Sequence, residues 1–336
     1  MPYDMITIGG ATEDITFYTK EGVLIDNKKD LTRQKLLAFE YGAKIKIDKS
    51  FSGFGGGAAN AAVCFARLGF KSACLCAVGF DARARKIIDN FKKQGVATEL
   101  VQKIKNKETG FSFLLVGQSN EHICFSNRGA SDELRITPPR QGSGGQANYE
   151  LRIIKNANWL YLTSLSGKWQ ATLDKIFSVR GAKIAWNPGH RQIITGPKVL
   201  GKYFKRTECL IINKDEALEL VMSDKKYKNK SAAYLNKAKN LLAALICLGP
   251  KIVVITSGRQ GADVIMGNKI YHQPIIKEKR RLDTTGVGDA FGSSFVAGLE
   301  LYNQDIKRAL LLAARNSAAE ISRQGAQNGL LTRKEI

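Results

Sequence analysis

The chain has 336 residues, 44% of them hydrophobic, and its 52 Lys and Arg against 30 Asp and Glu give a formal net charge of +22. Enough apolar sequence is present for one large α/β core with a small appendage, and no Pro/Gly/Ser-rich linker separates two independent domains. The longest uncharged apolar stretch, 241–249, falls far short of the ~18 residues of a membrane span.

The positive charge is scattered (Lys28, Lys29, Lys92, Lys93, Lys225, Lys226, Lys228, Lys230) without a nucleic-acid motif. A nucleic-acid partner is therefore not expected. The lysines read as a solvated surface that draws anionic substrates toward a cleft. The first residues lack the basic stretch, apolar run and cleavage site of a signal peptide, so the expected location is the cytoplasm, with no membrane partner. Six cysteines are spread thinly without a His cluster, which predicts buried, reduced thiols rather than a zinc site.

In chain order, residues 6–8 read as a short strand. Residues 58–68 are helical in composition and end at Gly69, a good C-terminal cap. Residues 72–78 are apolar and strand-like, and 86–93 are helical, closing at Gly95. Short apolar runs follow at 159–162, 183–186, 209–212 and 252–255, with helical segments at 171–179, 217–222 and 232–246 between them. This alternation predicts a doubly wound, mostly parallel sheet with helices on both faces.

Two regions differ. Residues 15–52 and 98–127 alternate polar and apolar side chains, as in Lys44-Ile45-Lys46-Ile47 and Phe111-Ser112-Phe113-Leu114, with a turn at 118–121. Period-2 alternation predicts half-exposed antiparallel hairpins, forming a small β lid beside the body. Residues 264–266 and 269–271 flank Gly267-Asn268 as another hairpin, and 138–146 read as a surface loop.

The strongest chemical signal is Asp283-Thr284-Thr285-Gly286-Val287-Gly288-Asp289-Ala290-Phe291, which leads into an apolar helix at 294–301. Glycines before a helix leave backbone N–H groups open at the positive end of the helix dipole, a site for an anion. A carboxylate on the first turn, Asp289, is placed to take a proton from a hydroxyl attacking beside that anion. A helix cap is the competing account of Asp289.

This segment resembles the C-terminal signature of the ribokinase-like, or phosphofructokinase B, carbohydrate kinases. Gly55-Gly56-Gly57-Ala58-Ala59-Asn60 is similar to their N-terminal signature, and Gly9 to Asp14 resembles the end of their first strand. Asn187-Pro188-Gly189, Asn213-Lys214-Asp215-Glu216 and Thr256-Ser257-Gly258-Arg259-Gln260-Gly261 follow in family order. The resemblance covers nearly the whole chain, so residues 1–336 are expected to form a single ribokinase-like domain whose lid strands come from 15–52 and 98–127.

The resemblance implies an ATP-dependent sugar kinase, with a nucleoside kinase of the same fold as the alternative. It makes Asp289 the general base and assigns the backbone N–H groups of Gly286, Val287 and Gly288 to an anion hole. Asp14, Gly55, Gly56, Gly57 and Asn60 would meet the substrate. Asn187, Asn213, Glu216, Thr256, Gly258, Gly261 and Asn316 would serve ATP. Glu216 would organise Mg2+, and Asp283 with backbone near Gly325 would hold a monovalent cation such as K+. A homodimer through the lid is also implied.

Three departures bear on the substrate. Gly57 stands where ribokinases usually carry Lys, the segment Thr163 to Ser166 lacks their acidic residue, and Ala84 replaces a usual Gly. These leave the catalytic reading intact and put ribose in question. Gly53-Phe54-Gly55-Gly56-Gly57-Ala58 also fits the dinucleotide pattern G-x-G-x-x-A. It follows a polar segment rather than a buried first strand, and no acidic residue follows where ribose recognition needs one.

Overall fold

A computed structural model describes residues 2–27, 35–117, 122–136 and 149–336. Its strands are β1 (Met5–Ile8), β2 (Thr12–Tyr18), β3 (Val23–Asp26), β4 (Lys35–Ala38), β5 (Lys49–Gly55), β6 (Ser72–Val78), β7 (Val101–Lys103) and β8 (Phe111–Val116). They continue with β9 (His122–Asn127), β10 (Trp159–Leu162), β11 (Lys183–Trp186), β12 (Cys209–Asn213), β13 (Ile252–Thr256), β14 (Ala262–Met266) and β15 (Lys269–Gln273). The helices are α1 (Gly57–Arg67), α2 (Ala82–Lys93), α3 (Tyr149–Lys155), α4 (Trp169–Ser178), α5 (His190–Ile193) and α6 (Gly196–Phe204). After them come α7 (Lys214–Met222), α8 (Ala232–Leu235), α9 (Ala238–Ile246), α10 (Val287–Leu301) and α11 (Ile306–Ile321).

Nine strands form one sheet in the order β15-β14-β13-β12-β11-β10-β1-β6-β7. All pairs from β7 to β13 are parallel, and β14 and β15 add an antiparallel edge. The expected doubly wound sheet is thus present, and the hairpin around Gly267-Asn268 supplies its edge. Every residue of β1, β6 and β10 is buried, which is why these strands read as uninterrupted apolar runs. Alternation sends Ile6, Ile8, Leu160, Leu162 and Trp186 into one layer with α4, α6, α7 and α9. Met5, Trp159, Tyr161 and Ile211 enter the opposite layer with α1, α2, α10 and α11. Each face is therefore sealed by helices, and the parallel strands expose their C-terminal ends along one rim, where open α/β sheets bind ligands.

A separate four-stranded sheet, β5-β2-β8-β9, stands beside this body. Its location matches the expected lid, with two corrections. The central pair, β2 with β8, is parallel, while the outer pairs are antiparallel. Because β2 and β8 are joined through the body, no hairpin constrains them to run oppositely. The second lid region also begins later than residue 98, since β7 pairs with β6 in the main sheet. β3 and β4 make a short ribbon of their own.

Other differences are local. The helix read over 232–246 is broken, because Lys237 is extended and the Asn240 side chain donates to the Tyr234 carbonyl between α8 and α9. Helices α6 and α11 went unread. Four cysteines are buried as expected, but Cys124 and Cys247 are exposed. The turn at 118–121 and the loop at 138–146 lie outside the described residues. No helix among the described residues is long and apolar enough to cross a membrane.

The lid is tied to the body at its root. Glu13 on β2, only 6% exposed, accepts from Lys86 Nζ at 2.8 Å and Ser52 Oγ at 3.1 Å and lies 3.2 Å from Arg83 Nε. Burial pushes the Glu13 carboxyl up, but those hydrogen bonds and the two cations outweigh it and hold it below the usual value. A depressed carboxyl stabilises the fold above its unfolded pKa, and that contribution is lost as pH falls through the folded value. Lys86 and Arg83 remain partly solvated, so Glu13→Gln is expected to cost ~1 kcal/mol at neutral pH. Urea denaturation should show the difference from the unaltered protein disappearing as pH falls below the ordinary carboxylate range; a difference independent of pH would contradict the ion-pair account.

Candidate active site

The loop before α10 is held from both sides. Asp283 accepts the Thr285 N–H on Oδ1 and the Gly325 N–H on Oδ2, each at 2.9 Å. Gly286, the residue before α10, has φ of 74°, and a Cβ there would come within 2.9 Å of the Ala326 backbone. Glycine is required for both reasons. The chain then enters α10, whose first turn leaves N–H groups without intrahelical partners. Val287 N–H makes only a long 3.4 Å bond to the Thr284 carbonyl, and Gly288 faces open space. This is the geometry expected of an anion-binding turn.

Asp289 lies on that same first turn. Asn60 of α1 donates Nδ2 to Asp289 Oδ2 at 2.8 Å, which fixes one carboxylate oxygen. The other, Oδ1, lies 3.2 Å from where a Cβ on Gly57 would sit, so the absence of a side chain at Gly57 leaves space beside the carboxylate. Burial pushes the Asp289 carboxyl up, the Asn60 bond draws it back, and the charge of Asp14 raises it further. A higher proton affinity suits a group that must accept a proton.

The glycine run builds the opposite wall. Gly55 ends β5 directly against the Asp14 carboxylate, and Gly56, at φ 89°, packs on the Gly10 carbonyl. Asp14 also accepts from Thr12 Oγ1 at 2.9 Å. Its carboxyl is raised by burial, lowered by bonds from Thr12 and Ser112, and raised by the charge of Asp283. Thr163 sits beside Gly57 and Gly9, so the segment noted for lacking an acidic residue does face this space. Asp14, Gly55, Gly56, Gly57, Asn60 and Asp289, read from distant parts of the chain, converge on one small region. The G-x-G-x-x-A match runs through lid strand β5, outside the main sheet.

On the other side of the anion turn lies a cavity of about 330 Å³. Asn213, Thr256, Gly258, Gly261, Val287 and Gly288 line it, as do Ile275, Ile276, Phe291, Ala314 and Ile321. It therefore has an apolar end and a polar end that reaches the anion turn. The 274–281 segment carries no periodic pattern, so Ile275, Ile276 and Arg281 were invisible to sequence reasoning.

Three expected ATP residues are not among those lining the cavity. Asn316 is fully buried: its Nδ2 donates to Ser294 Oγ at 2.6 Å and its Oδ1 accepts the Leu331 N–H. Its position on α11 turns it into the core, and Ser317, one residue on, lines the cavity instead. Asn187 donates to the Ile211 carbonyl at 2.8 Å at the end of β11. Asn213 and Glu216 cap α7 reciprocally, Glu216 N–H to Asn213 Oδ1 at 2.8 Å and Asn213 N–H to Glu216 Oε2 at 3.0 Å. That capping box engages one oxygen of each side chain. Burial raises the Glu216 carboxyl, the Asn213 N–H lowers it, and Glu219 raises it.

The lid aromatics pack on one another. Phe17 stacks on Phe113 at 5.8 Å, Phe111 meets Phe113 edge-on at 5.3 Å, and Arg83 covers Phe111.

The fold is one shared with ribokinase-like kinases. The description "pfkB family carbohydrate kinase" matches residues 29–333, and the chain belongs to that family. It is similar to the ribokinase of Haemophilus influenzae, 27% identical over 286 residues covering 84% of this chain and 85% of that protein. It is also similar to an ATP-dependent ribose-1-phosphate kinase of Halopiger xanaduensis, 25% identical with 82% of each covered. Among solved structures, Arabidopsis thaliana ribokinase complexed with ribose and ATP superposes with a TM-score of 0.77 at 19% identity, covering 100% of this chain and 97% of that one. A Burkholderia thailandensis nucleoside kinase in complex with inosine gives 0.75 at 18% identity, covering 98% and 95%.

Proposed function

We propose that the protein is an ATP-dependent sugar kinase that transfers the γ-phosphoryl group to a hydroxyl activated by Asp289. The observation that carries this is the position of Asp289, held by Asn60 on the turn that separates the Asp14–Gly57 space from the 330 Å³ cavity. An acceptor seated against Asp14 and Gly55 to Gly57 meets Asp289 Oδ1. A nucleotide in the cavity directs its terminal phosphate to the N–H groups of Gly286 to Gly288. Phosphoryl transfer needs positioning and charge stabilisation above all, and both come from this one turn. Ribose-type sugars are the first acceptors to consider, since the relatives named above include ribokinases and a ribose-1-phosphate kinase. The mutual packing of Phe17, Phe111 and Phe113 uses the aromatic faces that a nucleoside base would need, which ranks the nucleoside reading second.

The residues present fit the two expected cations. Glu216 does not line the cavity but its capping partner Asn213 does, and Glu216 Oε1, outside the capping box, is the carboxylate oxygen that would order a Mg2+ shell. Asp283, fixed by two backbone N–H groups at the base of the anion turn, is the anionic group at which K+ would shape that turn. Mg2+ when bound neutralises charge on the transferring phosphates. The β3–β4 ribbon exposes Val23, Leu24, Ile25 and Leu36, and lid strand β9 exposes Ile123 and Phe125, apolar side chains that a second copy would cover.

Asp289→Asn is expected to lower turnover ~100- to 10,000-fold, because a positioned base is lost. ATP affinity should stay nearly unchanged, because the anion site is backbone. Near-normal turnover in the folded variant, assayed with ribose, ribose 1-phosphate, inosine and adenosine as acceptors, would leave Asp289 as a helix cap only.

Glu216→Gln should raise the Mg2+ concentration needed for half-maximal rate, and K+ should stimulate more than Na+ or choline. An unchanged Mg2+ titration, or equal rates in all three salts, would reject the corresponding cation role. Light scattering at micromolar concentration is expected to give the mass of two chains; a monomer would reject pairing through the lid.

A further inference from the structure

Asp289 is the end of a line of amides that crosses four elements. Asn90 on α2 donates Nδ2 to Gln327 Oε1 at 2.9 Å. Gln327 donates Nε2 to Asn60 Oδ1 at 2.9 Å, and Asn60 donates Nδ2 to Asp289 Oδ2 at 2.8 Å. Gln327 is 5% exposed and Asn60 4%, so water does not substitute for these partners. The polarity of the line is forced from its end. An ionised carboxylate only accepts, so Asn60 must present its NH2 to Asp289 and its oxygen to Gln327. Gln327 must then present its NH2 to Asn60 and its oxygen to Asn90. An amide free to flip would put an oxygen against the carboxylate half of the time; the line removes that freedom.

The segment that carries Gln327 also grips the other end of the catalytic turn. Gly325 N–H holds Asp283, and Ala326 packs beneath Gly286. Three successive residues therefore fix the start of the turn, its left-handed corner and, through Asn60, the carboxylate at its end.

We propose that Gln327 is a positioning residue for the Asp289 base, setting the orientation of the Asn60 amide and through it the carboxylate rotamer; this rests on reading Asp289 as the base. Gln327 does not line the cavity, and its side chain is engaged by Asn90 and Asn60. Its effect falls on the rate step and on the proton affinity of Asp289 rather than on ATP binding.

Gln327→Glu tests this with little change in size. A carboxylate at 327 still accepts from Asn90 but draws the Asn60 NH2 toward itself, which turns the Asn60 oxygen onto Asp289. In protein labelled with 13C at aspartate carboxyls, with Asp289→Asn to assign the signal, the Asp289 titration should move up by about one pH unit or more. Turnover at neutral pH with ribose and with inosine should fall ~10- to 100-fold, while the KM for ATP changes less than ~3-fold. Gln327→Met, which keeps the shape and removes the donor, should move both readouts in the same direction by less. An unmoved Asp289 titration in either folded variant overturns the proposal, as does insolubility of both, which would make Gln327 purely structural. Because the titration needs no acceptor, it separates this outcome from failure of the base reading, which shows instead as normal turnover of Asp289→Asn.

Discussion

The burial of α10 is the constraint on which the site depends. Residues Ala290 to Leu299 are buried without interruption, packed against α1, α11 and the main sheet. A helix so enclosed cannot shift to satisfy its first N–H groups, and its positive end opens on the cavity that Val287 and Gly288 line. Gly286 turns the chain into the helix at a conformation that side chains disfavour, and Asp283 staples the approach to Gly325. The unsatisfied turn is thus made rigid before any ligand arrives. Rigid donors aimed at one point are what lower the barrier for a charge-rich transfer, because no reorganisation is needed during the reaction.

Around this fixed turn the acceptor side is assembled by close approach rather than by large side chains. Gly55, Gly56 and Gly57 let the lid strand β5 and the start of α1 pass against Asp14, the Gly10 carbonyl and Asp289. The same passage explains why the lid is rooted where it is. β2 and β5 join the body beside Asp289, and Glu13, one residue before Asp14, is bound by Lys86 and Arg83 of α2. An ion pair at the root of the lid and the Asp14 carboxylate are consecutive on one strand and point to opposite faces, as the period of two requires.

Much of this was legible in the sequence because it rests on local chemistry. Buried parallel strands require unbroken apolar runs, and β1, β6, β10 and β13 were read from theirs. The Asp283 to Asp289 turn was legible because glycine, acid and apolar helix must be contiguous to make it. What escaped depends on partners distant in sequence. The parallel pairing of β2 with β8 leaves no trace in alternation, which is the same for either direction. Asn316 was misplaced because helical phase, set by packing on Ser294 and Leu331, decides which of two adjacent residues faces the cavity. Gln327 carried no signal, since its bonds run to residues 237 and 267 positions away.

The two carboxylates of the site illustrate why position rather than residue type sets their roles. Burial raises the proton affinity of both, and a neighbouring charge adds to each: that of Asp283 at Asp14 and that of Asp14 at Asp289. Asp14 is compensated by hydroxyl donors from Thr12 and Ser112. Asp289 is compensated on one oxygen by a single amide, leaving Oδ1 the less satisfied atom and the one that faces the Gly57 space. In the kinase reading proposed above, a hydroxyl placed between them would find a hydrogen-bonding anchor at Asp14 and a proton acceptor at Asp289, with its freed lone pair beside the positive end of α10. Substrate binding and activation would in that reading be one electrostatic arrangement, because a dipole that favours a phosphoryl anion also favours alkoxide character next to it.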